Sequence, residues 1–281
     1  MSRVLTVDIG NSNIVVGSWN SDELEFSDRI VTKRNYAQDE LFSLLNNVVL
    51  NNKCTARSHA DSDEVYDGAI LSSVVPEITE ITLDALEKII AKRPLLMGPF
   101  LRTGVDISGY KQGAIGMDRV VDMAAALSMY GKQVVVCDLG TCTTITVASD
   151  KIIGGMICPG IQLSLDAEAS RASQLPQLSA SEVRTLLGND TASNMISGVV
   201  AGTGMMISEL AKRLRIGAMT LDFIEDKNVA KEMPDLKVVV TGGLGRLVLP
   251  WIKQGLPPEI EAYYDENLLI RGLKEIYFLN T

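Results

Sequence analysis

Val134-Val135-Val136-Cys137-Asp138-Leu139-Gly140-Thr141-Cys142-Thr143-Thr144-Ile145-Thr146-Val147 decides how the rest of the chain is read. An apolar run enters Asp-Leu-Gly-Thr, and a β-branched run follows at once. This predicts a buried strand, a tight glycine turn and a second strand returning beside the first. The turn gathers a carboxylate, an approachable main chain and several hydroxyls at one strand end. That set suits a phosphate and its counter-cation, since Thr hydroxyls and N–H groups donate while Asp holds a cation.

The same phrase stands near the start, as Val4-Leu5-Thr6-Val7-Asp8-Ile9-Gly10-Asn11-Ser12-Asn13-Ile14-Val15-Val16-Gly17. One Asp-x-Gly can simply make a turn. Two copies, each between strand-like runs, predict two related domains that each open with a β-hairpin and face a nucleotide. Their separation is too long for a solenoid or propeller repeat.

The chain has 281 residues, 46% hydrophobic and 22% charged, and a net charge of −9. This is a globular composition with no basic footprint for nucleic acid, so no nucleic-acid partner is expected. An acidic chain that binds phosphates must concentrate cations locally. Cys54, Cys137, Cys142 and Cys158 lack Cys-x-x-Cys spacing and read as reduced, buried thiols. Met1-Ser2-Arg3 leads straight into a strand and no apolar run is long enough to span a bilayer, so a cytoplasmic protein without a membrane partner is expected.

In chain order, a third strand is expected over 23–31, a helix over 37–50, and a loop over 51–67 with His59 in solvent. A strand at 68–75, a helix at 77–93 and a short strand near 94–98 complete a β-β-β-α-β-α half. A glycine-containing loop, 101–113, precedes a helix at 114–130. Strands at 133–138, 142–148 and 151–158 follow, then a helix at 161–174. Ser179 and Glu182 stand in capping-box positions for a short helix. A long helix is expected over 190–213, a last clear strand over 236–241, a helix closed or kinked by Pro250, and a terminal helix over 266–278. The domains are expected at 1–114 and 115–281, with the last helix packing back on the first domain.

Four further groups carry chemistry. Gly116-Met117-Asp118-Arg119 opens a helix and reads two ways: as a helix-dipole partner with a surface charge, or as a base and a carboxylate-gripping guanidinium. Gly154-Gly155-Met156-Ile157-Cys158-Pro159-Gly160 suits close backbone approach, or a strand end and turn. Asn189-Asp190-Thr191 marks a helix N-terminus. Thr241-Gly242-Gly243-Leu244-Gly245 is strand, glycine turn and helix, a common nucleotide cradle, yet neither a Rossmann nor a P-loop motif.

Taken in order, with Leu175-Pro176 between them, these motifs resemble those of the type III pantothenate kinases across nearly the whole chain. The resemblance implies an α/β fold of two ribonuclease-H-like (actin-like ATPase) domains, with mixed central sheets flanked by helices. It implies ATP-dependent phosphorylation of pantothenate to 4'-phosphopantothenate, the first step toward coenzyme A. Asp8, Ile9, Gly10, Asn11, Ser12, Asn13, Ile14 and Val15 would form the first phosphate loop, with Asp8 near the Mg²⁺ that accompanies ATP. Thr141 would touch ATP, and Asp138 would bind a monovalent cation, K⁺ or NH₄⁺. Gly116, Met117, Asp118 and Arg119 would line the pantothenate pocket, with Asp118 as base, and Thr191 would contact pantothenate. The family implies a homodimer with the substrate near the subunit interface.

Some residues depart from the family pattern. Tyr110 is the candidate substrate-contacting tyrosine, one position off by an ungapped count. Thr146 stands where Asp is common, and Asp122 and Asp190 stand where Asn is usual. The alternatives are a kinase of another small alcohol and a non-catalytic transcriptional accessory relative of the same fold.

Overall fold

Val4, Leu5, Val7 and Ile9 are fully buried because β1 (Arg3–Ile9) is a central strand, paired on both sides. β2 (Asn13–Asn20) returns antiparallel to β1, and β3 (Glu23–Val31) antiparallel to β2. Helix α1 (Gln38–Thr55) carries the chain to β4 (Gly68–Ser73), which lies parallel to β1. Helix α2 (Pro76–Ile90) then leads to β5 (Leu95–Leu96), parallel to β4. Parallel neighbours need a crossover, and a helix supplies each one. The computed structural model describes residues 2–55, 66–111, 113–218 and 232–281.

The second half repeats the plan. After α3 (Met117–Tyr130) come β6 (Gln133–Leu139), β7 (Cys142–Ser149) and β8 (Lys151–Pro159) as an antiparallel meander. Helices α4 (Ile161–Arg171) and α5 (Thr191–Arg215) precede β9 (Lys237–Thr241), parallel to β6. Helix α6 (Gly245–Gly255), β10 (Glu261–Tyr264) and α7 (Leu268–Asn280) finish the chain. The strand orders, β3-β2-β1-β4-β5 and β8-β7-β6-β9-β10, are the same. β1 and β6 share one burial pattern, half-exposed only at their first and sixth residues; the sixth are Asp8 and Asp138. The fold is therefore α/β, with two mixed five-stranded sheets flanked by helices.

Two compact units interleave along the chain: residues 1–104 with 116–125 and 267–281, and residues 105–115 with 126–266. The first is built around Leu5, Val7, Ile14, Leu45, Ile78 and Leu86, the second around Val135, Cys137, Val200, Ile207, Val238 and Ile252. Within the first unit α7 packs on β1, β2 and β4. Gly272 brings it so close to α3 that a Cβ there would stand 2.0 Å from the Val121 carbonyl oxygen. Lys274, its stem buried beside Trp19, extends its ammonium to Asp22 at 2.7 Å and Glu275 at 3.0 Å.

The structure corrects several sequence expectations. No helix forms around Ser179–Glu182. Gln162 instead holds that segment extended, donating to the Leu178 carbonyl and accepting from the Ala180 N–H, both at 2.9 Å. Ala180 and Val183 then pack on the second core, so tertiary contacts outweigh the capping pattern. Helix α6 runs through Pro250, held by Val248 and Ile252 buried on either side of it. Helix α1 extends beyond 50 into the expected loop. β10 was not expected, because four residues are too few to show a period and its pairing to β9 defines it. Of the thiols, Cys137 is buried and pushed up in pKa by that burial, Cys158 is half-buried, and Cys142 is exposed at the hairpin tip rather than buried. The readings of His59 and of the Cys54 side chain lie outside the described residues.

Replacing Gly272 by Ala must push α7 off α3, because the obstructing atom is backbone. The expected loss is roughly 1–3 kcal/mol in urea unfolding. A variant as stable as the parent would show that this close approach does not hold α7.

Candidate functional site

In the first unit, β1 delivers Asp8 and Ile9 to the end of the sheet. The Gly10 N–H then donates to the Asn13 carbonyl at 3.0 Å, which closes the hairpin. Asn11, Ser12 and Asn13 are exposed, Ile14 is buried and Val15 is half-buried, so the loop's polar residues face outward from an apolar anchor. Thr32 braces the loop twice, through its N–H to the Ser12 carbonyl at 3.0 Å and its hydroxyl to the Gly10 carbonyl at 2.8 Å. Val74 N–H caps the Ile9 carbonyl at 2.9 Å, so the parallel strand β4 ends at the same place.

In the second unit the corresponding tip carries Asp138, Gly140 and Thr141, one residue tighter, with Gly140 N–H to the Cys142 carbonyl at 3.2 Å. Two glycine turns crowd against it. The Gly160 N–H donates to the Thr141 carbonyl at 3.1 Å, and a Cβ at 160 would stand 2.3 Å from that oxygen. Gly242 has φ +85°, and a Cβ there would stand 2.4 Å from the Asp138 carboxylate and 2.6 Å from the Leu139 carbonyl carbon. Only glycine fits such an approach. Tyr264 donates to the Gly242 carbonyl at 3.2 Å and supports the turn from behind.

Helices α4 and α6 begin at these two turns, and neither has a side-chain N-cap. At α4 the first-turn N–H groups and the helix dipole therefore favour an anion beside the tip, whereas at α6 the Gly245 and Leu247 N–H groups already donate to the Gly242 and Leu244 carbonyls, leaving mainly the dipole. The sequence had marked both glycine turns, but not how closely they close on Asp138. Thr143, next along β7, has a hydroxyl buried without a hydrogen-bond partner.

The residues that the sequence reading set on the substrate side fall in both units. Gly116–Arg119 belong to the first. The Asp118 carboxylate folds back over Gly116, where a Cβ would stand 2.4 Å from Oδ1, so the glycine is what lets this acid lie across the start of α3. Met117 and Asp118 are half-buried, Arg119 is buried, and so is Asp122 one turn on. Thr191 opens α5 in the second unit. There Gly204 lies against Trp251 and Gly255 against Ser208, so α5 and α6 run side by side in one direction. Thr191 is thus at the same end as the Gly242 turn. Thr146 is buried within β7.

Tyr110 lies elsewhere. The Asp106 carbonyl accepts the Ile152 N–H at 2.9 Å, and Gly109 packs on the Ile152 carbonyl, at the start of β8. At about 3.3 Å per residue, β8 needs roughly 23 Å to reach Pro159, the partner of Cys142. Tyr110 and Thr141 of one chain are therefore at opposite ends of the second sheet.

The sequence matches the family model for type III pantothenate kinase over residues 4–213. The chain belongs to the type III pantothenate kinase family. Its relatives include the type III pantothenate kinase of Agathobacter rectalis, 33% identical over 276 residues, which are 98% of this chain and 96% of that one. The type III pantothenate kinase of Geobacillus kaustophilus is 32% identical over 288 residues, 99% of this chain and 98% of the other. Two solved structures share the fold. One is a Campylobacter jejuni protein described as a Baf family transcriptional activator, with TM-score 0.57 and 19% identity over 98% of this chain and 97% of that one. The other is the activator of 2-hydroxyisocaproyl-CoA dehydratase from Clostridium difficile with bound ADPNP, with TM-score 0.53 and 9% identity over 99% and 94%. Membership in this kinase family gives the two acid-tipped hairpins a shared context, and the low-identity structures add the fold alone.

Two outcomes follow for the second unit. Gly242→Ala forces a left-handed backbone onto a side chain that meets Asp138, so Mg·ATP affinity should fall at least about tenfold while the variant still folds. Calorimetric titration measures this, and unchanged affinity would separate the turn from nucleotide binding. The second outcome concerns Asp190, which caps α5. It accepts the Ser193 N–H at 2.8 Å, and this bond holds its carboxyl below the ordinary value. A depressed folded-state pKa means the cap's contribution is full above the ordinary carboxylate range and is lost as pH falls through the lower value. Asp190→Asn does not titrate, so it should lose less stability than the parent between about pH 5 and pH 2. Equal acid sensitivity in urea unfolding would show that the cap contributes nothing.

Proposed function

We propose that this chain transfers the γ-phosphoryl group of ATP to the primary alcohol of pantothenate, the first step toward coenzyme A. One observation carries the reading: full-length relatives at about 30% identity bear this activity in their names, over a chain with an Asp-x-Gly tip on each sheet.

The residues of the chain divide the work. In the first unit the Asp8–Val15 loop, and in the second the Gly140–Thr141 tip, each offers N–H groups and hydroxyls to phosphate oxygens. The close glycine turns and the helix starts without side-chain caps at this tip fit an anionic group. Among the described residues no three His, Cys, Asp or Glu side chains stand together as a metal cage. The carboxylate at each tip instead fits cations that arrive with phosphate oxygens, Mg²⁺ at Asp8 and K⁺ or NH₄⁺ at Asp138. Bound there, such cations would neutralise charge that builds on the transferring group.

Asp118 takes the proton of the alcohol, and Arg119 and Thr191 hold pantothenate by polar contacts. Asp118 lies back over the start of α3, and that location supports its part in positioning. Phosphoryl transfer has a loose transition state, so aim and charge matter more than covalent help.

A homodimer suits two surface features of the second unit. Gly198 and Gly202 of α5 have open space where a Cβ would sit, and Met205 on the same helix is exposed. Tyr110, remote from Thr141 within one chain, is assigned to substrate at a subunit interface. Among the described residues no helix is long and apolar enough to cross a membrane.

The direct test is purified protein with ATP, Mg²⁺, K⁺ and pantothenate, read by mass detection of phosphopantothenate. Product from a different alcohol, or nucleotide binding without product, would refute the assignment of pantothenate as acceptor. A general base contributes on the order of 10²–10⁴-fold, so Asp118→Asn should fold normally and lose at least the lower factor in kcat. Near-parental turnover would remove Asp118 from that role.

A further inference from the structure

Beside the first hairpin stands a cation that the motif reading left out. Thr32 ties the end of β3 to the Asp8–Val15 loop, so the next two residues, Lys33 and Arg34, rise next to its tip. Lys33 turns away, to Glu40 at 3.4 Å and the Tyr36 ring. Arg34 turns toward the loop. One of its terminal nitrogens donates to the Asn11 side-chain oxygen at 3.3 Å, and the other pairs with Glu77 at 2.9 Å. Glu77 lies in the first turn of α2, just beyond β4, the strand that caps Ile9.

We propose that Arg34 is a phosphate-binding residue of the kinase site, taking the terminal phosphates of the nucleotide at the first hairpin while Glu77 keeps its guanidinium within reach. This rests on the reading of Asp8–Val15 as a phosphate loop. Its contact to Asn11 is long and made to a neutral amide oxygen, which a phosphate oxygen outcompetes through paired, charge-assisted bonds. Its bond to Glu77 is exposed to water on both sides and so opposes little movement. The loop itself contributes no cationic side chain, and the chain's net charge is −9. A triphosphate there needs positive charge from a neighbouring element, and Arg34 is bonded directly to the tip. The signal in the sequence is Lys33-Arg34 directly after a predicted strand, outside the Asp-x-Gly phrase.

Calorimetric titration of the full chain with Mg·ADPNP and, separately, with adenosine tests this. Arg34→Ala should weaken Mg·ADPNP by about 10-fold or more, the range of a charge-assisted bond, and leave adenosine affinity unchanged. Arg34→Lys should recover part of the loss. Glu77→Gln, which leaves the guanidinium in place, should weaken Mg·ADPNP less than Arg34→Ala does. Parental affinity in Arg34→Ala would overturn the assignment. So would an equal loss of adenosine, which would make Arg34 a latch that only holds the loop's shape. The readout is nucleotide binding, so a parent protein that fails to phosphorylate pantothenate would refute the acceptor and leave the Arg34 result to be judged on its own.

Discussion

A main-chain approach too close for any side chain governs the second unit. Gly242 lies against the Asp138 carboxylate and the Leu139 backbone in a left-handed conformation. The parallel pairing of β9 with β6, Thr241 opposite Asp138, makes the approach unavoidable. Once these strands end together, the chain must turn at once to start α6. A turn that tight sets a helix start without a side-chain cap beside a carboxylate. A strand end whose chemistry suits an anion and a cation together therefore follows from strand register and one glycine.

The first unit solves the same geometric problem with different parts. Its strand order and burial pattern repeat those of the second, but its hairpin tip is one residue longer and is braced by Thr32 rather than crowded by two glycine turns. A longer, more polar tip exposes Asn11, Ser12 and Asn13. Its neighbouring cation, Arg34, comes from outside the loop, whereas helix starts without side-chain caps stand beside the second tip. Duplicated sheets with different surroundings allow one phrase, Asp-x-Gly, to serve two tasks.

Local chemistry made much of this legible. The two Asp-x-Gly phrases announced the hairpins, and Asp190 three residues before Ser193 announced the start of α5. Legibility failed where distant contacts decide. Ser179–Glu182 has the letters of a capped helix, yet Gln162, from another element, holds its backbone extended. β10 exists because β9 offers an unpaired edge, and Pro250 is tolerated because apolar residues on either side of it are buried. Each of these depends on a partner far along the chain.

By itself, then, the amino-acid order determined the α/β class, the two matching hairpins, the order of the glycine turns and the acids at the strand ends. Each of these is set by neighbours a few residues apart, through alternation, turn chemistry and capping. Only the tertiary structure decided that residues 116–125 join the first unit and that Tyr110 sits at the far end of the second sheet from Thr141. It also brought Arg34 onto Asn11. Those outcomes depend on which surfaces bury against each other, and the free energy of burial is shared among residues too far apart in sequence to leave a local pattern.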